Sequence, residues 1–129
     1  RVQLKRLDGF TEKRIENFHY LKSKLSDLED KFIEVGTVEG SKISWFGYIL
    51  TLQKGDERNK FGDYLEASGI RTRPFFAGNI TRHKPFRKLL RPFPVADYLM
   101  RNSLFIGIWQ GISKQDLEYI SERIHLYFK

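Results

Sequence analysis

The strongest constraint on the fold is an apolar stripe near the start of the chain. Over residues 2–33, apolar side chains recur at spacings close to the period of an α-helix. The members of the stripe are Leu4, Leu7, Ile15, Phe18, Leu21, Leu25, Leu28 and Phe32. This spacing predicts one long amphipathic helix, bent near Gly9 and ended by Gly36 and Gly40, that must cover an apolar core.

Two later segments have the composition of strands. Residues Ile43–Gln53 are rich in β-branched and aromatic side chains, and Leu104–Trp109 forms a second apolar run. Asp56 is placed to cap a helix between them, and Gly69 stands where a left-handed helix stop is expected.

Helices are also predicted near the end of the chain. Four prolines divide residues 71–94 into short pieces, so this region is expected to be mostly loop. Residues Val95–Arg101 predict a short helix, and Ser113 to Asp116 resembles a capping box that opens the last helix. The buried stripe of that helix comprises Leu117, Ile120, Ile124 and Phe128. The order predicts an α+β fold, with helices packed on a small, mainly antiparallel sheet.

Composition excludes several classes of chemistry. The 129 residues suffice for one domain, and the absence of cysteine excludes disulfides, thiolate nucleophiles and cysteine-held metals. The three histidines, His19, His83 and His125, lack a metal-site spacing, and no glycine-rich phosphate loop is present. No apolar run approaches the roughly 20 residues that span a bilayer, and no signal peptide is recognisable. We therefore expect a cytoplasmic protein without a metal site or a membrane partner, and identify no catalytic residue.

The positive charge is concentrated in one connection. The formal net charge is +7, and its excess lies between Arg71 and Arg91, where no acidic residue occurs. The cationic residues there are Arg71, Arg73, Arg82, His83, Lys84, Arg87, Lys88 and Arg91. Such a segment favours a partner rich in phosphate.

Residues 69–83 also suit a sugar ligand. Arginine binds phosphate with two parallel hydrogen bonds, and the Asn79 amide can donate to and accept from hydroxyls. Ala77 and Gly78 would let a ligand approach the backbone. The alternative is a solvated basic loop with Phe75 and Phe76 anchored in the core; Trp45 and Phe46 likewise have the chemistry of core residues.

These motifs resemble a known family. Ser44-Trp45-Phe46-Gly47-Tyr48, Gly69-Ile70, Thr72-Arg73 and Phe76-Ala77-Gly78-Asn79 are similar to the C-terminal domain of the nucleotide-linked 4-keto-6-deoxyhexose 3-dehydrases. The branch that uses a CDP-linked 4-keto-6-deoxyglucose is the nearest. These enzymes belong to the DegT/DnrJ/EryC1/StrS group, and the resemblance runs along nearly all of the chain.

The resemblance implies an architecture and a set of partners. Residues 1–129 would be the C-terminal small domain of a longer fold-type-I enzyme, paired with an N-terminal domain that binds pyridoxal or pyridoxamine phosphate. The complete enzyme would be a homodimer acting on a nucleotide-linked 4-keto-6-deoxyhexose in deoxysugar or lipopolysaccharide O-antigen biosynthesis. The chain alone would supply substrate and dimer contacts, bind no cofactor and have no activity.

The resemblance also selects residues for substrate contact. Arg73 and Asn79 match the family motif, and Phe76 and Trp45 are expected to shape the pocket. Arg71, Arg82 and His83 are also expected to contact the substrate, because they are positively charged or titratable and lie close to this motif in the sequence. The sequence departs from the family at Pro74, after the arginine, and at His83-Lys84, where Gln-Pro is usual.

Three other functions stay open at this point. The same small domain occurs in nucleotide-sugar aminotransferases, and the lysine or histidine that separates the two reactions lies in the other domain. A basic loop with Phe75, Phe76 and Phe86 would also suit single-stranded nucleic acid, although nucleic acid is not the favoured partner. An independent protein-binding domain would use the apolar stripe of the first helix.

Overall fold

The chain forms an α+β fold in a computed structural model, which describes residues 2–34, 36–53 and 57–129. Short 3-10 helices at Leu4–Arg6, Ser26–Leu28, Ile80–Arg82 and Lys84–Leu89 accompany the regular elements. Those elements are α1 (Leu7–Lys24), β1 (Phe32–Ile33), β2 (Gly47–Leu52), α2 (Arg58–Ala67), β3 (Thr72–Pro74), α3 (Pro94–Asn102), β4 (Ser103–Gly107) and α4 (Lys114–Tyr127).

The four strands form one antiparallel sheet in the order β1-β2-β4-β3. Side chains of directly paired residues lie on the same face of a sheet. Leu50, Leu104 and Pro74 are paired across β2, β4 and β3, and they belong to the inner face. Ile49, Phe105 and Arg73 form the neighbouring row and belong to the outer face.

The inner face is covered by three helices. Leu21 of α1, Phe61 of α2 and Leu117 of α4 are completely buried and pack with the inner-face strand residues in one cluster. Helix α3 instead covers one end of the outer face, where Thr51 and Ser103 are buried and hydrogen-bonded at 2.9 Å. The rest of the outer face is left open.

The first helix is shorter than its apolar stripe predicts. Helix α1 passes through Gly9 and ends at Lys24 rather than at Gly36, although Leu25 and Leu28 are still buried. Phe32 is drawn into the sheet by its pairing with Leu52. Tertiary pairing therefore overrides the helical period after Lys24, a case in which context outweighs local pattern.

Two predicted helix-end signals, at Gly69 and at Ser113, are confirmed. Gly69 has φ +78°, and the amides of Gly69 and Ile70 donate back to the carbonyls of Glu66 and Leu65, which is the Schellman pattern. Ser113 and Asp116 form the reciprocal capping box of α4. The predicted cap at Asp56 lies outside the described residues.

Both predicted strands are present but shorter than expected, and the buried stripe of α4 is confirmed. Leu117, Ile120 and Ile124 are buried, and Phe128 packs against the core cluster. Residues 75–93 contain short 3-10 helices and otherwise irregular backbone, as the four prolines predict.

Candidate functional site

The candidate site is the open part of the outer sheet face together with residues 75–83, which we call the site loop. Arg73 of β3 lies beside Phe105 of β4, and its side chain is exposed. The loop begins directly after β3, where the amide of Phe75 donates to the carbonyl of Ser103 at 3.3 Å. The strand pairing thus fixes where the loop starts relative to Arg73.

Three aromatic rings line this face. The ring centroids of Phe76 and Phe105 are 5.8 Å apart, and those of Phe46 and Phe105 are 5.5 Å apart. Phe76 is 72% exposed and Phe46 is 65% exposed. The alternative that Phe76 anchors the loop in the core is therefore wrong, because its ring packs on the outer face and stays in solvent.

The loop backbone is held in an unusual conformation. Phe76 has φ +47° and Gly78 has φ +59°, both in the left-handed region. A side chain at Gly78 would also collide with α3, because a Cβ there would lie 2.6 Å from Met100 Cγ. Left-handed backbone at a residue such as Phe76 is sparsely populated and persists only where surrounding contacts enforce it.

Asn79 is buried and engaged within the protein. Only 2% of the residue is exposed to solvent. The amide nitrogen donates to Asp97 at 2.8 Å and to the carbonyl of Arg91 at 3.2 Å, while the amide oxygen accepts from the backbone and hydroxyl of Thr81. The predicted sugar contact of Asn79 is thus corrected to an internal role, since both ends of the amide are already hydrogen-bonded.

Asp97 of α3 is the common acceptor of the hydrogen bonds that hold this part of the loop. Its carboxylate accepts from Asn79, from Nη2 of Arg82 at 2.9 Å and from Nε of Arg82, and from the backbone of Phe93 at 3.3 Å. The hydrogen bonds from Arg82 and then from Asn79 lower the pKa of Asp97 well below its usual value. Arg82 is correspondingly committed to an ion pair rather than free for a ligand.

Arg71, Arg73 and His83 remain at the surface. Arg71 and Arg73 form no ion pair with any residue in the described ranges, in contrast to Arg82. His83 is exposed, and its Nε2 lies 2.7 Å from the carbonyl oxygen of Ala77, which closes the loop on itself. These cations surround the exposed ring of Phe76 in sequence and give the site its positive charge.

Trp45 does not lie on this face. Its ring stacks on Phe18 of α1 at 3.8 Å, and its carbonyl accepts from Arg14 at 3.2 Å. Trp45 instead lines a separate cleft of about 590 Å³ between α1 and the β1–β2 pair. The structure therefore separates Trp45 from the candidate site, whereas the ring of its neighbour Phe46 lies against Phe105 on the outer face.

The part of the chain that the structure describes contains neither a metal-binding cluster nor a membrane-spanning helix. Its acidic and histidine side chains form no cluster of three or more able to hold a metal ion. Within the same ranges, every helix is too short or too polar to cross a bilayer.

Sequence comparison assigns the family. The profile described as the DegT/DnrJ/EryC1/StrS aminotransferase family matches residues 1–125. The chain belongs to this family. The resemblance seen in the Trp-Phe-Gly, Thr-Arg and Phe-Ala-Gly-Asn motifs is thereby confirmed.

Curated relatives match nearly all of this chain. The lipopolysaccharide biosynthesis protein RfbH of Salmonella typhimurium is 32% identical over 98% of this chain and 30% of its own length. The dTDP-4-dehydro-2,6-dideoxy-D-glucose 3-dehydratase of Saccharopolyspora spinosa is 32% identical over 95% of this chain and 28% of its own length. This chain therefore spans less than a third of either relative.

A solved relative shows the same fold. The Escherichia coli GDP-4-keto-6-deoxy-D-mannose-3-dehydratase with bound hydrated PLP superposes with a TM-score of 0.79 at 29% identity. The match covers 94% of this chain and 32% of that one. The α+β prediction is confirmed by this agreement.

Sequence reasoning missed Asp97, Phe105 and Phe46. Nothing in the local sequence showed that Asp97, a residue of α3, would meet the loop 18 positions earlier. Phe105 alternates with the buried Leu104 and Ile106, and that period-two pattern was the available signal for an outward ring.

Proposed function

We propose that residues 1–129 are the C-terminal small domain of a nucleotide-sugar 3-dehydratase, in which the outer sheet face and the site loop cover the substrate. The observation that carries the proposal is the combination of free arginines and exposed aromatic rings on a face that the chain's own helices leave open. Arg73 and Arg71 would contact the nucleotide-linked 4-keto-6-deoxyhexose, with Phe76 and Phe46 beside the sugar. The 3-dehydratase names of the relatives support this reaction over others in the family.

The exposed apolar residues support a further domain as partner. Val2, Leu4 and Leu7 at the start of the chain are exposed, as are Leu89 and Leu90 in the basic segment. Apolar side chains in such number are more often covered than solvated. We assign them to contacts with an N-terminal cofactor domain and with the second subunit of a homodimer.

Pyridoxal or pyridoxamine phosphate would be held by that other domain. The outer-face row of Ile49, Phe105 and Arg73 offers neither a lysine amine nor a carboxylate. The buried carboxylate nearest to the loop, Asp97, is already occupied by Arg82 and Asn79. These residues fit the wall of a cofactor site rather than the groups that bind the cofactor, so no chemical step is assigned to them.

An activity measurement tests the reaction. The longest natural reading frame that includes this chain would be expressed, supplied with pyridoxamine 5′-phosphate and incubated with CDP-, dTDP- or GDP-linked 4-keto-6-deoxyhexose. Mass spectrometry should show loss of one water from one of these sugars. Replacement of the ketone by an amine would instead establish an aminotransferase, which the family name also allows.

A binding measurement tests the face. In the same protein, Arg73→Gln should raise KM for the nucleotide sugar by roughly tenfold or more, the effect of losing a charge-assisted hydrogen bond. Lys60→Gln is the matched control, because Lys60 is an exposed cation on α2, which packs on the inner face of the sheet. Equal KM values for the two variants would remove Arg73 from the site.

A further inference from the structure

We infer that Asp97 is a positioning residue: from α3 it holds the site loop in the conformation that presents Phe76 against Phe105, the strand partner of Arg73. This inference rests on the proposed function, since it concerns affinity for the substrate of that same site. It separates the loop residues that would touch a ligand from those that only hold the loop in place.

Asp97 cannot touch a ligand itself. Its side chain is 7% exposed, and its two oxygens accept four hydrogen bonds from three residues. A carboxylate takes about four hydrogen bonds when ionised, so its capacity is filled. Its influence on the surface must therefore pass through Asn79 and Arg82, the two loop residues that donate side-chain bonds to it.

The loop has few other means of holding its shape. Phe76 and Ile80 are exposed, so apolar burial contributes little to these positions. The left-handed backbone of Phe76 opposes the observed conformation, because this region is strained for a residue other than glycine. The network centred on Asp97 and the His83–Ala77 bond are the opposing constraints.

Asp97 is the constraint that reaches both halves of the loop. Asn79 joins it to Thr81 and to the carbonyl of Arg91, which fixes the middle of the loop and the chain that follows. Arg82 adds a two-point ion pair next to His83. Removing the carboxylate would take one hydrogen-bond acceptor from the buried Asn79 amide and would leave the charge of Arg82 without its ion-pair partner. A buried polar group that loses a hydrogen-bond partner destabilises the conformation that buries it.

The experiment compares three substitutions with the unsubstituted protein, each expressed in the longest natural reading frame that includes this chain. Asp97→Asn keeps the shape and removes the charge, Arg82→Gln breaks the same pair at its half-exposed end, and the third variant combines both. Asp63→Asn is the control, because Asp63 is an exposed carboxylate on α2 that forms no ion pair in the described ranges. Amide hydrogen exchange is followed by NMR, and affinity is measured separately for CDP-glucose, dTDP-glucose and GDP-mannose.

Positioning predicts a local and non-additive result. Asp97→Asn and Arg82→Gln should each speed exchange of residues 76–83 by about tenfold or more, while amides of β2 and β4 keep their protection. Each should weaken binding of the nucleotide sugar by about tenfold, and the double variant should be no weaker than Asp97→Asn alone, since both changes break one network. Asp63→Asn should change neither quantity.

The possible failures are distinguishable. Unchanged loop exchange in both single variants overturns the inference, as does faster exchange with unchanged affinity. Strictly additive losses of affinity also overturn it, because they would mean that Arg82 contacts the ligand by itself. If the unsubstituted full-length protein binds none of the three probes, the proposed function fails, while loop exchange still decides whether Asp97 positions the loop.

Discussion

The two faces of the sheet are stabilised in different ways. On the inner face, Leu50, Leu104 and Ile106 are buried under three helices, and the contacts are apolar and without preferred direction. On the outer face, the site loop is fixed by the hydrogen bonds of Asp97, and α3 leaves no room for a side chain at Gly78. An apolar core sets how stable the domain is, whereas a directional network sets the shape of one surface.

The largest expected difference between the faces concerns two phenylalanines. Phe61 of α2 is completely buried and packs against Phe32, Tyr127 and Phe128, so Phe61→Ala should lower the free energy of unfolding by about 3–5 kcal/mol. Phe76→Ala should change it by less than about 0.5 kcal/mol, because the Phe76 ring is largely in solvent. Urea unfolding measures both, and comparable losses would show that the loop is part of the core.

Glycine substitutions sharpen the comparison further. Gly78→Ala places a Cβ both in a left-handed backbone and against Met100, and should destabilise by about 2 kcal/mol or more. Gly69→Ala shares the positive φ but has open space around it, so it should cost only about 1 kcal/mol. If the two losses are equal in thermal unfolding, the contact between the loop and α3 contributes nothing.

A glycine in a helix is expected to behave in the opposite way. Gly9 lies in α1 with ordinary backbone angles and no atom near its missing Cβ. Gly9→Ala should therefore stabilise the protein by about 0.5 kcal/mol, since alanine loses less conformational freedom in a helix. A destabilisation in urea would indicate that the exposed side of this helix is in contact with another copy of the chain.

The smallest expected effect is a pH dependence of stability that arises from His125, on a helix that covers the inner face. His125 of α4 donates from Nδ1 to the carbonyl of Ser121 at 2.7 Å and from Nε2 to Asp27 at 2.9 Å. Burial lowers the pKa of His125, but the hydrogen bonds to Asp27 and Ser121 outweigh it and the net pKa is raised. The bridge ties α4 to the turn that ends α1.

The sign of this pH dependence follows from the raised pKa. The His125–Asp27 bridge stabilises fully below the unfolded histidine pKa of about 6.5, and the stabilisation is lost as pH rises through the folded value. Unfolding free energies from about pH 5.5 to about pH 8.5 should fall more for the native chain than for His125→Gln. Parallel curves would mean that the bridge has no effect on stability.

The inner face was largely predictable from the sequence, and the outer face was not. Hydrophobic periodicity, residue composition and capping residues predicted α4, the end of α2 at Gly69 and both central strands, because each of these signals depends only on neighbouring residues. The end of α1 was misplaced because the pairing of Phe32 with Leu52 depends on chain 20 residues away. Asn79 was assigned to a ligand because an amide has the same chemistry toward a sugar as toward Asp97, and only the folded chain shows which partner it has.

The junction between α3 and β4 limits how this domain can diversify. Asn102 ends the helix and Ser103 begins the strand, so no residue separates them. One inserted residue would either rotate α3 away from the site loop or turn every side chain of β4 to the other face. Length changes among homologues should therefore accumulate in the exposed connection before β2, while this junction keeps a constant length.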